Sequence, residues 1–81
     1  MERNALVLFG LFAQIWMMLF LLVWYLAGGG LSLFGYTTMT GIALGAYLAY
    51  EMFRSGIKKQ AWMTLIVTIL VAIMAAALSV A

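Results

Sequence analysis

Three long apolar stretches, separated by two short breaks, set the pattern of this chain. Residues 5–27 run for 23 positions without a charge, and Gln14 is the one strongly polar side chain among them. At ~1.5 Å per residue this is about 34 Å of helix, enough to cross a hydrocarbon core. Gly28, Gly29 and Gly30 interrupt the run. Each glycine disfavours a helix interior by roughly 1 kcal/mol relative to alanine, so a hinge or turn is predicted there. Residues 31–53 form a second apolar stretch with Glu51 near its end. Residues 54–60 (Arg54-Ser55-Gly56-Ile57-Lys58-Lys59-Gln60) are the one sustained hydrophilic segment, and Gly56 suits a helix C-cap or tight turn. Residues 61–81 make the third stretch. The prediction is an all-α, membrane-type, single-domain protein: a helical hairpin (31–53 and 61–81) closed by a basic loop (54–60), plus an N-terminal apolar helix (5–27).

Alternative organisations fail on physical grounds. The first run is much longer than the apolar region of a signal peptide, and Tyr25-Leu26-Ala27 is a poor small-x-small cleavage site, so it is read as a helix. Strands are excluded because alternation is absent and an open sheet in lipid leaves its edges unsatisfied.

Composition sharpens the picture. Of 81 residues, 69% are hydrophobic and 7% charged, whereas soluble domains run at roughly 45–50% and about 25%. So few charges cannot cover a water-soluble globule of this size, which excludes a soluble monomer. The absence of cysteine and histidine removes disulfides, thiolate sites and the commonest general base and metal ligand. The two acidic residues, Glu2 and Glu51, are far apart in sequence, so acid/base catalysis by a carboxylate pair is not expected. No enzyme activity and no metal or other cofactor is expected, apart from bound membrane lipid.

An up-down-up course gathers Glu2, Arg3, Glu51, Arg54, Lys58 and Lys59 at one end and leaves the other without a charged side chain. The positive-inside rule assigns the charged end to the cytoplasm. Tyr47, Tyr50, Phe53 and Trp62 ring that end, and Trp24, Tyr25 and Tyr36 lie near the glycine end, as interfacial belts do. Arg54, Lys58 and Lys59 are candidate contacts for lipid phosphates, at roughly 1 kcal/mol per basic residue near an anionic surface. Glu51 and Arg54 are spaced to pair at i,i+3.

Small residues recur every fourth position on two helices: Thr37, Gly41, Gly45 and Ala49, and then Thr64, Thr68, Ala72 and Ala76. Counted outward from the loop, the two rows match, predicting a tight antiparallel hairpin in which Ala49 faces Thr64, Gly45 faces Thr68, Gly41 faces Ala72 and Thr37 faces Ala76. The first helix carries Phe9, Phe12, Trp16, Met17, Met18, Phe20 and Trp24, and such bulk suits contact with lipid or neighbouring subunits. Gln14 is expected to make an interhelical hydrogen bond.

Missing groups exclude several small membrane machines. A rotary proteolipid or a small multidrug exporter needs a carboxylate at mid-membrane, a light-harvesting polypeptide ligates pigment mostly through histidine, and a retinal protein needs a mid-helix lysine. With Arg54-Ser55-Gly56-Ile57-Lys58-Lys59-Gln60 set between two small-residue-rich apolar helices, and Ala75-Ala76-Ala77-Leu78-Ser79-Val80-Ala81 ending the chain, the sequence resembles the pilins of conjugative type IV secretion systems, including their archaeal Ced-type DNA-import relatives. The resemblance covers about residues 31–81. It implies a structural subunit that waits in the cell membrane as a hairpin with its basic loop cytoplasmic. It is then extracted with phospholipid into a hollow extracellular filament, its basic loop against lipid phosphates at the lumen. The implied partners are further copies of the chain, phospholipid, the secretion or import machinery, and DNA as cargo. Bacterial relatives begin with a cleaved leader and a more polar first segment, from which residues 1–27 depart. An accessory transmembrane subunit of a respiratory or photosynthetic complex, or a holin-like pore former, shares the composition.

Overall fold

The computed structural model describes residues 3–30 and 32–80. Three helices follow one another: α1 (Arg3–Leu26), α2 (Leu33–Arg54) and α3 (Lys58–Ser79). They lie side by side in a rod 39 Å long and 17 by 13 Å across. α2 runs antiparallel to the other two, since Gly10 of α1 meets Met52 of α2 while Gly35 meets Trp24. α1 and α3 therefore run parallel, and all three helices share one core. Both are long and apolar enough to cross a membrane. α2, richer in glycine, threonine and tyrosine, falls short of that measure, although it is the return leg between them.

Two glycine-dependent stops set the helix ends. The Gly28 amide donates to the Tyr25 carbonyl (3.1 Å) and the Gly29 amide to that of Trp24 (3.0 Å). The same pair of bonds recurs at Gly56 to Phe53 (3.2 Å) and Ile57 to Met52 (2.9 Å). Both are Schellman motifs, and their αL residues are Gly28 (φ +95°) and Gly56 (φ +81°). The second motif closes the chain so quickly that α3 begins at Lys58. The expected seven-residue loop is thus shortened: Arg54 ends α2, while Lys58, Lys59 and Gln60 form the first turn of α3. At the opposite end Ser32 caps α2, accepting from the Gly35 amide (3.3 Å).

The buried positions alternate in steps of three and four: Thr38, Gly41, Gly45, Leu48 and Met52 on α2, and Ala61, Thr64, Thr68, Val71 and Ala75 on α3. On α1 they are Leu6, Gly10, Ala13, Met17 and Trp24, with Gln14 beside them. This is the ~3.5-residue seam of supercoiled bundles. Gly45 meets Thr68 as expected, but the outer part of the expected four-step rows is corrected. Four residues turn a helix through about 400°, so such a row drifts by about 40° per step and leaves the interface after two or three. Ala72 is accordingly only half-buried and Ala76 is exposed, while Val71 and Ala75 take the seam.

α1 is also corrected from a helix beside a hairpin to a member of the core. A Cβ built on Gly45 would lie 2.6 Å from Thr68 Oγ1 and would overlap Met17 Cε of α1. One built on Gly41 would meet Trp16 Cδ1 at 2.6 Å, so α1, rather than Ala72, occupies that notch. Gly10 in turn receives Met52. Replacing Gly45 with leucine is predicted to destabilise the bundle by at least ~1–3 kcal/mol through overpacking, whereas Ala76→Leu is neutral. Thermal unfolding in detergent, followed by circular dichroism, separates the two; equal midpoints would contradict this seam.

Candidate functional site

Two polar regions stand out on this apolar rod, one inside it and one at its end. The interior one is centred on Thr64, which is fully buried. Gln14 Nε2 of α1 donates to Thr64 Oγ1 (2.9 Å), and Thr64 Oγ1 donates to Met52 Sδ of α2 (3.8 Å). One hydroxyl thus touches all three helices. The other threonines bond to their own helices: Thr37, Thr38, Thr40 and Thr68 donate to the carbonyls of Leu33, Phe34, Tyr36 and Thr64 at 2.7–3.0 Å. This back-bonding removes their polarity from an apolar surround. Among the described residues no buried side-chain nitrogen or oxygen lacks a partner. Gln14 thus acts as a clasp between α1 and α3.

At the end of the rod, the short turn brings together Arg54, Lys58 and Lys59, all exposed. Arg54 Nη1 pairs with Glu51 Oε1 at 3.4 Å and its guanidinium lies 5.9 Å from the centre of the Tyr50 ring. The pair is solvent-facing, so it contributes little to stability. Lys58 and Lys59 have no acidic partner among the described residues. Both lie in the first turn of α3, where the helix dipole is already positive and no acidic side chain offsets it. Ile57, the N-cap, offers no side-chain acceptor, and the first backbone bond of the turn runs from the Ala61 amide to the Ile57 carbonyl (3.0 Å). Two cations and free helix amides at one point favour an anion such as a phosphate. Beside them, Phe53 and Trp62 stack edge to face with centroids 5.3 Å apart, and the amphipathic ring of Trp62 suits a headgroup layer. Glu2 and the Arg3 side chain, expected at this end, lie outside the described residues.

The opposite end is uncharged among the described residues and is latched by backbone. Gly30 donates to the Leu78 carbonyl of α3 (2.9 Å), and Trp24 Nε1 donates to the Gly30 carbonyl (3.0 Å) with its ring over Gly35. The three glycines, expected as a hinge or turn, form this turn, with Gly28, Gly29 and Gly30 all at positive φ. Leu31 and Ala81, expected to begin and end helices, lie outside the described residues. Sequence reasoning missed an apolar groove of about 590 Å³ between α1 and α3, lined by residues such as Met18, Leu22, Tyr25, Leu70 and Met74. It needs the three-dimensional register of two helices that are distant in sequence, and no local pattern signals it.

The clasp is open to a double-mutant cycle with Gln14→Leu and Thr64→Val. The expected coupling is about 0.6–1.7 kcal/mol, the range for interhelical hydrogen bonds in apolar surroundings. Additive effects on the unfolding midpoint would show that the two residues act separately. No protein-family model, characterised protein or solved structure matches this chain.

Proposed function

We propose that this chain is a structural subunit that assembles with membrane lipid and with further copies of itself into a hollow helical filament of the conjugative type IV secretion kind. The observation that carries this reading is the distribution of polarity over the rod. Large apolar side chains such as Phe12 and Ile15 of α1, Met39 and Leu44 of α2, and Ile66 and Ile73 of α3 are exposed along every helix. Among the described residues, every fully enclosed side-chain nitrogen or oxygen of the interior has a partner. A particle of this kind carries no evident chemistry inside and demands an apolar partner on all sides.

Among the described residues the basic side chains gather at one end, where Lys58 and Lys59 stand at the N-terminus of α3 and Arg54, paired with Glu51, ends α2 beside them. In the membrane, the positive-inside rule keeps that end cytoplasmic. In the filament, the same three residues hold lipid phosphates against the lumen wall. Cations already screened by lipid release few counterions to a passing polyanion, so DNA slides through as cargo without tight binding. The subunit passes from a membrane pool to an extracellular pilus through secretion or import machinery. No catalytic step is assigned to it.

Material sheared from cells that express the chain is expected to contain filaments with co-purifying phospholipid when viewed by negative-stain electron microscopy. An accessory subunit of a larger membrane complex gives none. The double variant Lys58→Gln/Lys59→Gln is expected to lower phospholipid per subunit in purified filaments. Unchanged lipid content would remove the phosphate-binding role of the basic end, and absence of filaments would remove the pilin reading as a whole.

A further inference from the structure

The outward faces of the three helices differ in chemistry. On α2, Ala43 lies two residues from both Gly41 and Gly45, about 200° around the helix from each, and so opposite the buried seam. The row through it, at three- and four-residue steps, is Tyr36, Thr40, Ala43, Tyr47, Tyr50 and Arg54. All six are exposed, the three tyrosines at 59%, 55% and 59%. The row runs for about 27 Å, nearly the whole of α2. The corresponding outward row of α1 is Leu8, Leu11, Ile15, Leu19, Leu22 and Leu26, and that of α3 is Met63, Ile66, Leu70, Ile73 and Ala77, all exposed. Two helices thus turn an unbroken apolar row outward. α2 turns out a row with no leucine, isoleucine, valine, methionine or phenylalanine. The same contrast underlies its falling short of the hydropathy that α1 and α3 reach.

The α2 row suits two surroundings. Thr40 donates to the Tyr36 carbonyl (3.0 Å), which takes up its proton in an apolar medium and leaves its oxygen able to accept from water. Arg54, the one charge in the row, is paired with Glu51 at 3.4 Å. Tyr36 and Tyr50 stand about 10 Å to either side of the middle of α2, so in a bilayer their hydroxyls reach the headgroup level. Tyrosine presents an apolar body with a polar tip, and both remain satisfied where that tip is wet. The row is therefore tolerated in the membrane and wettable outside it, whereas the rows of α1 and α3 suit lipid or an apolar neighbour.

We propose that this row of α2 is the outer, water-facing surface of the assembled filament, and that the rows of α1 and α3 are the ones enclosed. The inference rests on the filament reading above and names the face that each helix presents in it. A filament outside the membrane meets water along its whole length, and a continuous apolar surface there calls for a cover. Other placements of the row fail. Against the outward row of α1 or α3 of a neighbour, the tyrosine hydroxyls are enclosed among leucine and isoleucine without partners. Against the same row of a parallel copy, Arg54 meets Arg54. The lumen, on the reading above, is faced by lipid phosphates held at the basic ends.

The chain has no cysteine, so an engineered thiol reports one position alone. Filaments of the single variants Thr40→Cys and Ala43→Cys on α2, Ile15→Cys on α1 and Ile66→Cys on α3 are treated with biotin maleimide, then with streptavidin–gold, and viewed in negative stain. Gold is expected along the whole length of the two α2 variants and is lost from the other two, although all four take up biotin after denaturation. Biotin that enters the α2 positions of intact filaments without admitting streptavidin places the row in the lumen and overturns the inference. Biotin uptake at those positions only after denaturation shows that the row is enclosed and also overturns it, while the filament reading stands. Gold on Ile15→Cys or Ile66→Cys as dense as on the α2 variants removes the distinction between the faces. Assembly blocked by both α2 substitutions alone marks the row as a contact between copies, again against the inference. If the unaltered chain forms no filaments, the filament reading and this assignment fall together.

Discussion

Everything in this bundle depends on two glycine notches that let α1 and α2 approach within reach of each other's methionines. Gly10 and Met17 are seven residues apart on α1, and Gly45 and Met52 are seven apart on α2. Because the helices are antiparallel, Met52 enters the notch at Gly10 while Met17 enters the notch at Gly45. Seven residues are nearly two full turns, so glycine and methionine share one face on each helix. α3 completes both sites, with Thr64 Oγ1 lying 3.4 Å from the Cβ position of Gly10 and Thr68 Oγ1 lying 2.6 Å from that of Gly45. The unbranched methionines suit irregular gaps of this kind. The close approach they permit also brings Gln14 to Thr64.

Several of these features were legible in the sequence, and each was a local signal. Gly56 as a helix stop, the Glu51–Arg54 spacing and an interhelical role for Gln14 follow from residue type and short-range spacing. The three helices follow from the length of the apolar runs. The place of α1 was harder to read. Met17 and Trp24 look like an outward-facing surface because they are large, yet both are buried. They fit because Gly45 and Gly35 stand opposite them, and complementarity of size belongs to a pair of helices rather than to either one. The four-step rows misled for a related reason: Gly41 and Gly45 are buried, but Gly41 closes on Trp16 of α1. The seam is shared among three helices, so no two-helix register describes it.

Polarity is handled differently at the two ends of the rod. At the glycine end, backbone groups satisfy one another: the Leu78 carbonyl of the last turn of α3, which also accepts from the Val80 amide, takes the Gly30 amide, and Trp24 Nε1 donates to the Gly30 carbonyl. That end needs no water to complete its hydrogen bonds at these points, which suits burial. At the basic end, the first-turn amides of α3 face outward beside Lys58 and Lys59. Their charge is left unbalanced by acid among the described residues. A solvated or anionic environment is the stable one for that end. The membrane orientation and the phosphate-facing role proposed here both draw on this one asymmetry.

The asymmetry around the circumference has a separate origin. α1 and α3 are parallel, and where small residues lie between them, at Gly10, Ala13, Ala61 and Thr64, they are drawn together and clasped by Gln14. Beyond that level the side chains that face the gap are Met18, Leu21, Leu22 and Tyr25 on α1 and Val67, Leu70 and Met74 on α3. No glycine notch receives them, so the helices stand apart and the groove opens. On the other flank α2 supplies Gly41 and Gly35, which seat Trp16 and Trp24, and Phe12 and Phe20 lie against Trp16 with ring centres 5.8 and 5.7 Å away. The glycines that build the core on one flank therefore seat its tryptophans there, and their absence on the other leaves the groove.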